Sequence, residues 1–255
     1  MCLILLSWQP KEPQRLVILA NRDEFFDRPT LQADFWHDMP DILAGRDKKA
    51  GGTWLGVDKR GRFAAITNYR SPLDMNAGGT SRGSLPVKFL GSEETAMSYL
   101  DQVSKQKADY AGFNLLVFDG NDLCYYSNRS DKNPVALSPG VYGLSNSLLN
   151  TSWPKVDTGR SELRNRIDTS DEPSPDWLDI MADSSQAADK ELPDTGGGYD
   201  LEKRLSARCI VMEGYGTRSS TFVSIGQTES AQIQFVEKTI VPAGLNPDTV
   251  SFRLV

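Results

Sequence analysis

Cys2-Leu3-Ile4-Leu5-Leu6-Ser7-Trp8 begins a pattern that continues through six polar residues at 9–14, two of them proline, into Leu16-Val17-Ile18-Leu19-Ala20-Asn21-Arg22-Asp23-Glu24. Two apolar runs of strand length on either side of a short proline-bearing stretch read as a β-hairpin. The four polar residues that finish the second run read as a solvated turn. Because the two strands pair, those residues are also placed to project over the sheet end beside Cys2.

A second hairpin is predicted where Gly52-Thr53-Trp54-Leu55-Gly56-Val57 meets the turn Asp58-Lys59-Arg60-Gly61 and then Phe63-Ala64-Ala65-Ile66-Thr67-Asn68. A third pairs residues 113–118 with 123–127 across Asp119-Gly120-Asn121-Asp122. Ala96, Tyr99, Leu100 and Val103 recur at helical spacing, which predicts a helix over 92–103 with Ser92 as N-cap. Residues 159–198 are the most polar part; two helices are read there, at 161–167 and 174–187, before a glycine-rich loop at 194–198. Strands return at 209–212, 219–225 and 231–237. Strands at both ends with helices between them suit an antiparallel sheet core covered by helices, the α+β class. With no domain-scale linker and no repeat, residues 1–255 read as one domain.

The 255 residues carry a formal net charge of −6 with both signs spread along the chain, a pattern unlike the clustered Lys and Arg of a nucleic-acid binder. Three cysteines at irregular spacing, Cys2, Cys124 and Cys209, make neither a disulfide framework nor a zinc motif. His37, in Phe35-Trp36-His37-Asp38, is the only histidine, so neither a His-rich metal site nor a Ser-His-Asp triad is expected. No metal is expected and no cofactor is required. The apolar run at 3–6 is too short for a secretory signal, and no stretch approaches a membrane span, so the expected location is cytoplasmic.

Cys2 carries the chemistry. Its small side chain predicts removal of Met1, which would leave a cysteine with a free α-amine of ordinary pKa about 7.7–8.0. Such an amine is a base for its own thiol, so one residue supplies nucleophile and base. Asp23 is then placed to hold the ammonium, and Arg22 to favour the thiolate or a substrate carboxylate. Asn68 and Asn146, each ending a strand-like run, carry amides able to donate to an oxyanion. Arg218, in Tyr215-Gly216-Thr217-Arg218-Ser219, is read at a hairpin corner that positive φ at Gly214 and Gly216 would tighten, with its planar fork suited to a carboxylate or phosphate.

Met1-Cys2 with Asn21-Arg22-Asp23-Glu24 resembles the NRDE family, also called the transport and Golgi organization protein 2 family. The resemblance continues in order through Gly51-Gly52-Thr53-Trp54-Leu55-Gly56, Thr67-Asn68-Tyr69-Arg70, Ser81-Arg82-Gly83, Gly112-Phe113-Asn114-Leu115-Leu116, Tyr142-Gly143-Leu144-Ser145-Asn146, Trp153-Pro154-Lys155 and Tyr215-Gly216-Thr217-Arg218-Ser219. More distantly the chain is similar to the penicillin V acylase and conjugated bile acid hydrolase group of N-terminal-nucleophile (Ntn) hydrolases. The resemblance implies a four-layer αββα sandwich of antiparallel sheets. It also implies catalytic roles for Cys2, Asp23, Asn68 and Asn146, with Asn21, Arg22, Glu24 and Arg218 binding substrate. The arginine of that group's Arg-Asn-x-Asp element falls on Ala20 here, so Arg22 is displaced from it. Its late arginine has three candidates, Arg204, Arg208 and Arg218.

Two activities are expected on these grounds. In the first, Cys2 cleaves or transfers an acyl group at an amide or thioester of a small, partly apolar substrate. In the second, which the family's association with haem trafficking and lipid homeostasis implies, the same pocket carries haem or an acyl compound as cargo. A protein-interaction role is the third reading, and nothing in the sequence singles out a partner chain.

Overall fold

The computed structural model describes residues 2–72, 79–170, 172–227, 232–240 and 248–254. Two compact units emerge. The first comprises the N-terminal stretch to Asp27, Pro139–Ser145 and the chain from Leu149 onward; the second comprises Arg28–Ser138 and Asn146–Leu148.

The first unit is built on six strands: β1 (Cys2–Trp8), β2 (Gln14–Phe25), β10 (Gly140–Leu144), β11 (Tyr215–Gly226), β12 (Ile233–Thr239) and β13 (Thr249–Leu254). Their order across the sheet is β10-β1-β2-β11-β12-β13, with every neighbour antiparallel. All seven residues of β1 are buried, which is why it reads as an unbroken apolar run rather than an alternation. Leu3, Leu5, Val17, Leu19 and Phe222 line the face that packs on helix α3 (Pro154–Thr169) and on the 3-10 segment Pro175–Ala182. Gly159 lets α3 come close: a Cβ there would stand 2.7 Å from Leu5. A short helix, Tyr199–Arg204, completes this layer's chain.

The second unit is a seven-stranded sheet in the order of the sequence, β3 (Thr30–Phe35), β4 (Ile42–Asp47), β5 (Leu55–Asp58), β6 (Phe63–Asn68), β7 (Phe113–Phe118), β8 (Leu123–Ser127) and β9 (Val135–Ala136). Helices α1 (Ser84–Leu90) and α2 (Ala96–Lys105) pack Leu85, Phe89, Tyr99, Leu100 and Val103 on Ala64, Ile66, Leu115 and Val117 of this sheet. Each unit is thus an antiparallel sheet with helices on one face. This is the expected α+β class.

Several expectations are corrected. The helix read over 92–103 begins at Ala96, because the Thr95 hydroxyl accepts from Ser98 N, while Ser92 Oγ donates to Phe89 O instead. The helix read at 161–167 starts seven residues earlier, at Pro154, where a proline fits the first turn. That read at 174–187 is the 3-10 segment, which ends at Ala182. The stretch 209–212 forms only one bridge, Val211 to Gly216. The last strands run from Ile233 and from Thr249; Ala231 and Met1 lie outside the described residues. Most consequential, β2 does not stop at Ala20. It runs through Asn21, Arg22, Asp23 and Glu24 to Phe25, and the first three of these are buried. Among the described residues no helix is long and apolar enough to cross a membrane.

Candidate active site

At one end of the first sheet, β1, β2 and β11 set two rows of side chains. Residues directly opposite one another in an antiparallel ladder share a face. Cys2 pairs with Arg22, and Arg22 with Ser219; Leu3 pairs with Asn21, and Asn21 with Ser220. Asp23 pairs with Thr217. Alternation along β2 therefore puts Asn21 and Asp23 on the helix-covered face and Arg22 on the opposite face with Cys2.

On the helix-covered face every amide atom of Asn21 has a role. Nδ2 donates to Met181 O at 2.8 Å and Arg208 O at 2.9 Å, and Oδ1 accepts from Ser220 Oγ at 2.6 Å. Asn21 was expected to bind substrate; it is fully buried, and its bonds tie β2 to the 3-10 segment and to the stretch before β11. Asp23 is 1% exposed, and its Oδ1 accepts from Thr217 Oγ1 at 2.7 Å. The same hydroxyl oxygen accepts from Ile210 N at 2.8 Å. Thr217 thus ties Asp23 on β2 to the backbone of Ile210.

Arg208, one of three candidates for a late arginine, anchors this layer. Its guanidinium donates to both oxygens of Glu162, at 2.8 and 2.9 Å, and to Asp183 at 2.8 Å. That bond, with help from Ser185, pulls the Asp183 carboxyl down to about 2. Arg204 is exposed at the end of its helix.

On the other face, Cys2 is 8% exposed, and its carbonyl accepts from Ser145 Oγ at 3.0 Å. Burial pushes the Cys2 thiol above its ordinary range; the Asp23 charge adds to this and the Arg22 charge counters it. Arg22 meets Glu24 at 3.9 Å, while Glu24 Oε1 accepts from Phe25 N at 2.9 Å. Arg218 does not sit at the hairpin corner. The corner is at 212–215, where Gly214 has φ 73°, and Arg218 lies inside β11 at a β-bulge between Thr217 and Ser219. Gly216 has no positive φ; its role is close approach, since a Cβ there would stand 2.5 Å from Ile210 O. The Arg218 guanidinium donates to Phe25 O at 3.1 Å, and burial, together with the Arg22 charge, lowers its pKa.

In the second unit, Asn146 Nδ2 donates to Asn68 O at 2.8 Å, and Asn146 O accepts from Arg70 N at 2.7 Å. The two asparagines singled out from the sequence therefore meet, with Asn146 buried and bracing the end of β6 and the Asn68 side chain exposed. Asn114, assigned no role from the sequence, bonds with Thr67, Ser147 and Tyr125. His37 stands exposed in the turn after β3.

Thr217, Ser219 and Ser220 were likewise assigned no role from the sequence. Their signal was present: Thr217-Arg218-Ser219-Ser220-Thr221 is a polar run leading into the apolar Phe222-Val223, the mirror of the way β2 ends.

The chain matches the model of the family described as Transport and Golgi organisation 2 over residues 1–242. It is 38% identical to the Transport and Golgi organization protein 2 homolog of Homo sapiens, with 96% of this chain and 95% of that protein covered. It is 37% identical to the homolog of Bos taurus, covering 100% and 99% respectively. Among solved structures, a mutant conjugated bile acid hydrolase from Clostridium perfringens is similar with a TM-score of 0.43 at 9% identity, covering 98% of this chain and 92% of that one. From its strands through its polar strand ends, this chain belongs to the Transport and Golgi organisation 2 family.

Proposed function

We propose that this protein cleaves or transfers an acyl group at an amide or thioester bond, with Cys2 as the nucleophile. The observation that carries this reading is the position of Cys2: it opens β1 directly opposite Arg22, one residue from an Asp23 carboxylate oriented by Thr217. Burial keeps the thiol protonated at rest, so attack needs a base close by. Once Met1 is removed, the α-amine of Cys2 is that base. It takes the thiol proton, and the sulfur forms a bond to the carbonyl carbon. The tetrahedral adduct collapses by breaking the bond to the leaving nitrogen or sulfur, which receives the proton from the ammonium. A water or an acceptor nucleophile then releases the acyl group from Cys2 and restores the thiol. Asp23 stabilises the ammonium in this cycle.

Intact-mass spectrometry tests the reading in two steps. The purified protein is expected to lack Met1, and incubation with N-acyl amino acid or acyl thioester probes is expected to add an acyl mass at Cys2 that Cys2→Ala lacks. Met1 retained in every preparation overturns it. A haem-carrying role draws no support from His37, which is exposed.

A further inference from the structure

Three arginines are buried among the described residues, and they are treated differently. Arg208, 5% exposed, makes three bonds to carboxylate oxygens. Arg62, also 5% exposed, donates to the carbonyls of Ser92 and Glu94. Arg22 is 8% exposed and makes no side-chain hydrogen bond among the described residues; its one ion-pair contact, to Glu24, is long at 3.9 Å. A guanidinium has five N–H donors in a rigid fork, and those of Arg22 meet no protein acceptor within hydrogen-bond distance among the described residues while none of its nitrogens is sealed from the surface, so they are open to a ligand. Ser219, the ladder partner of Arg22 on the far side from Cys2, is also 8% exposed, and its hydroxyl makes no hydrogen bond among the described residues.

We infer that Arg22, with Ser219 beside it, binds a carboxylate carried by the substrate within a few bonds of the carbonyl that Cys2 attacks. This rests on the acyl-transfer reading of Cys2. The spacing follows from the sheet: Cys2, Arg22 and Ser219 stand in one row across three neighbouring strands, about 4.7–4.9 Å apart from strand to strand. A group held by the middle residue is therefore close to one reacting at the first. The fork of Arg22 matches the two oxygens of a carboxylate, and the Ser219 hydroxyl supplies a further donor. Glu24 decides between anions. Its carboxylate lies 3.9 Å from Arg22, so a dianionic phosphate meets more like-charge repulsion there than a singly charged carboxylate.

Titration calorimetry on the full chain carrying Cys2→Ala tests the assignment without turnover. The probes are N-octanoylglycine, its neutral counterpart N-octanoylglycinamide, and octyl phosphate. The glycine conjugate is expected to bind at least about tenfold tighter than the amide, the scale of a charge-assisted contact. Adding Arg22→Met should bring the two within about twofold, and Arg22→Lys should restore only part of the preference, because a point charge lacks the fork. Thermal melts of each variant check that the fold is kept. Equal binding of conjugate and amide, tighter binding of octyl phosphate, or binding of no probe overturns the inference. Turnover of N-octanoylglycine by the unsubstituted chain is read separately: a carboxylate preference that depends on Arg22, without turnover, upholds Arg22 and removes the acyl-transfer reading.

Discussion

Asn21 and Arg22 are neighbours in sequence and both are buried, yet the two faces of the sheet end use them in opposite ways. Asn21 has all three of its side-chain bonds made inside the protein, to Met181, Arg208 and Ser220. Arg22, one step along the same strand, makes no side-chain hydrogen bond among the described residues and meets Glu24 only at 3.9 Å. On the helix-covered face Asn21 is spent on bracing; on the Cys2 face Arg22 is not. A four-residue polar signature at a strand end thus divides by alternation, with Asn21 and Asp23 bonded into the helix-covered side and Arg22 on the side of Cys2.

The largest effect that sharpens this contrast is on stability. Asn21→Leu leaves two carbonyls and a hydroxyl buried without their partner and should cost about 3–4 kcal/mol. Arg22→Met should cost less than about 1 kcal/mol, since the Arg22 side chain makes no hydrogen bond among the described residues. Urea unfolding compares the two through their midpoints at a common slope. Equal losses would erase the distinction between the faces.

Next in size is Arg208→Met, expected to cost about 2 kcal/mol, because Glu162 and Asp183 are partly exposed and the pairs are screened. The acid limb gives a second readout. The folded-state pKa of Asp183 lies near 2, below its unfolded value of about 3.9, so its contribution is present above pH 4 and is lost as pH falls toward 2. In Arg208→Met that part of the loss should shrink, leaving a flatter Tm profile between about pH 2 and 4. An unchanged slope would mean that Ser185 alone holds the Asp183 charge.

Thr217→Val is the smallest, at about 1–2 kcal/mol, from the unsatisfied Ile210 N–H and the bond lost to Asp23. Thr217→Ser keeps both bonds and should stay within about 0.5 kcal/mol of the original chain. If serine is as damaging as valine, the methyl group matters and the hydroxyl relay to Asp23 does not.

Much of the sheet pairing was legible. The β1–β2 partners follow from two apolar runs on either side of a proline-bearing stretch, and the β5–β6 and β7–β8 partners from runs separated by Asp- and Gly-bearing turns, where Gly61 and Gly120 take the positive φ such turns use. Strands β3, β4, β9, β10 and β13 were missed; β3 and β13 present mostly exposed and half-buried residues, so no apolar run marks them. The polar end of β2 was misread as a turn for a different reason. Asn and Asp favour turns when judged locally, but here their partners come from residues about 160 to 200 positions away. No local pattern contains that information. For the same reason Cys2, Arg22 and Asp23 stood out as candidates while Asn21 could not be told apart from them. Once β2 is known to run through the signature, alternation alone separates odd from even positions.

The bulge at Arg218 has a consequence for how this strand can change. Where β2 takes one step from Arg22 to Asp23, β11 takes two, from Ser219 to Thr217. Arg218 is supernumerary to the ladder: with it removed, Thr217 and Ser219 become consecutive and still face Asp23 and Arg22. Deleting this residue therefore shifts no register on either side; the bonds it gives up include the one Ile240 N donates to Arg218 O and the one its guanidinium donates to Phe25 O. An arginine inserted on such terms can be gained or lost over a lineage without any other side chain changing its partner across the sheet.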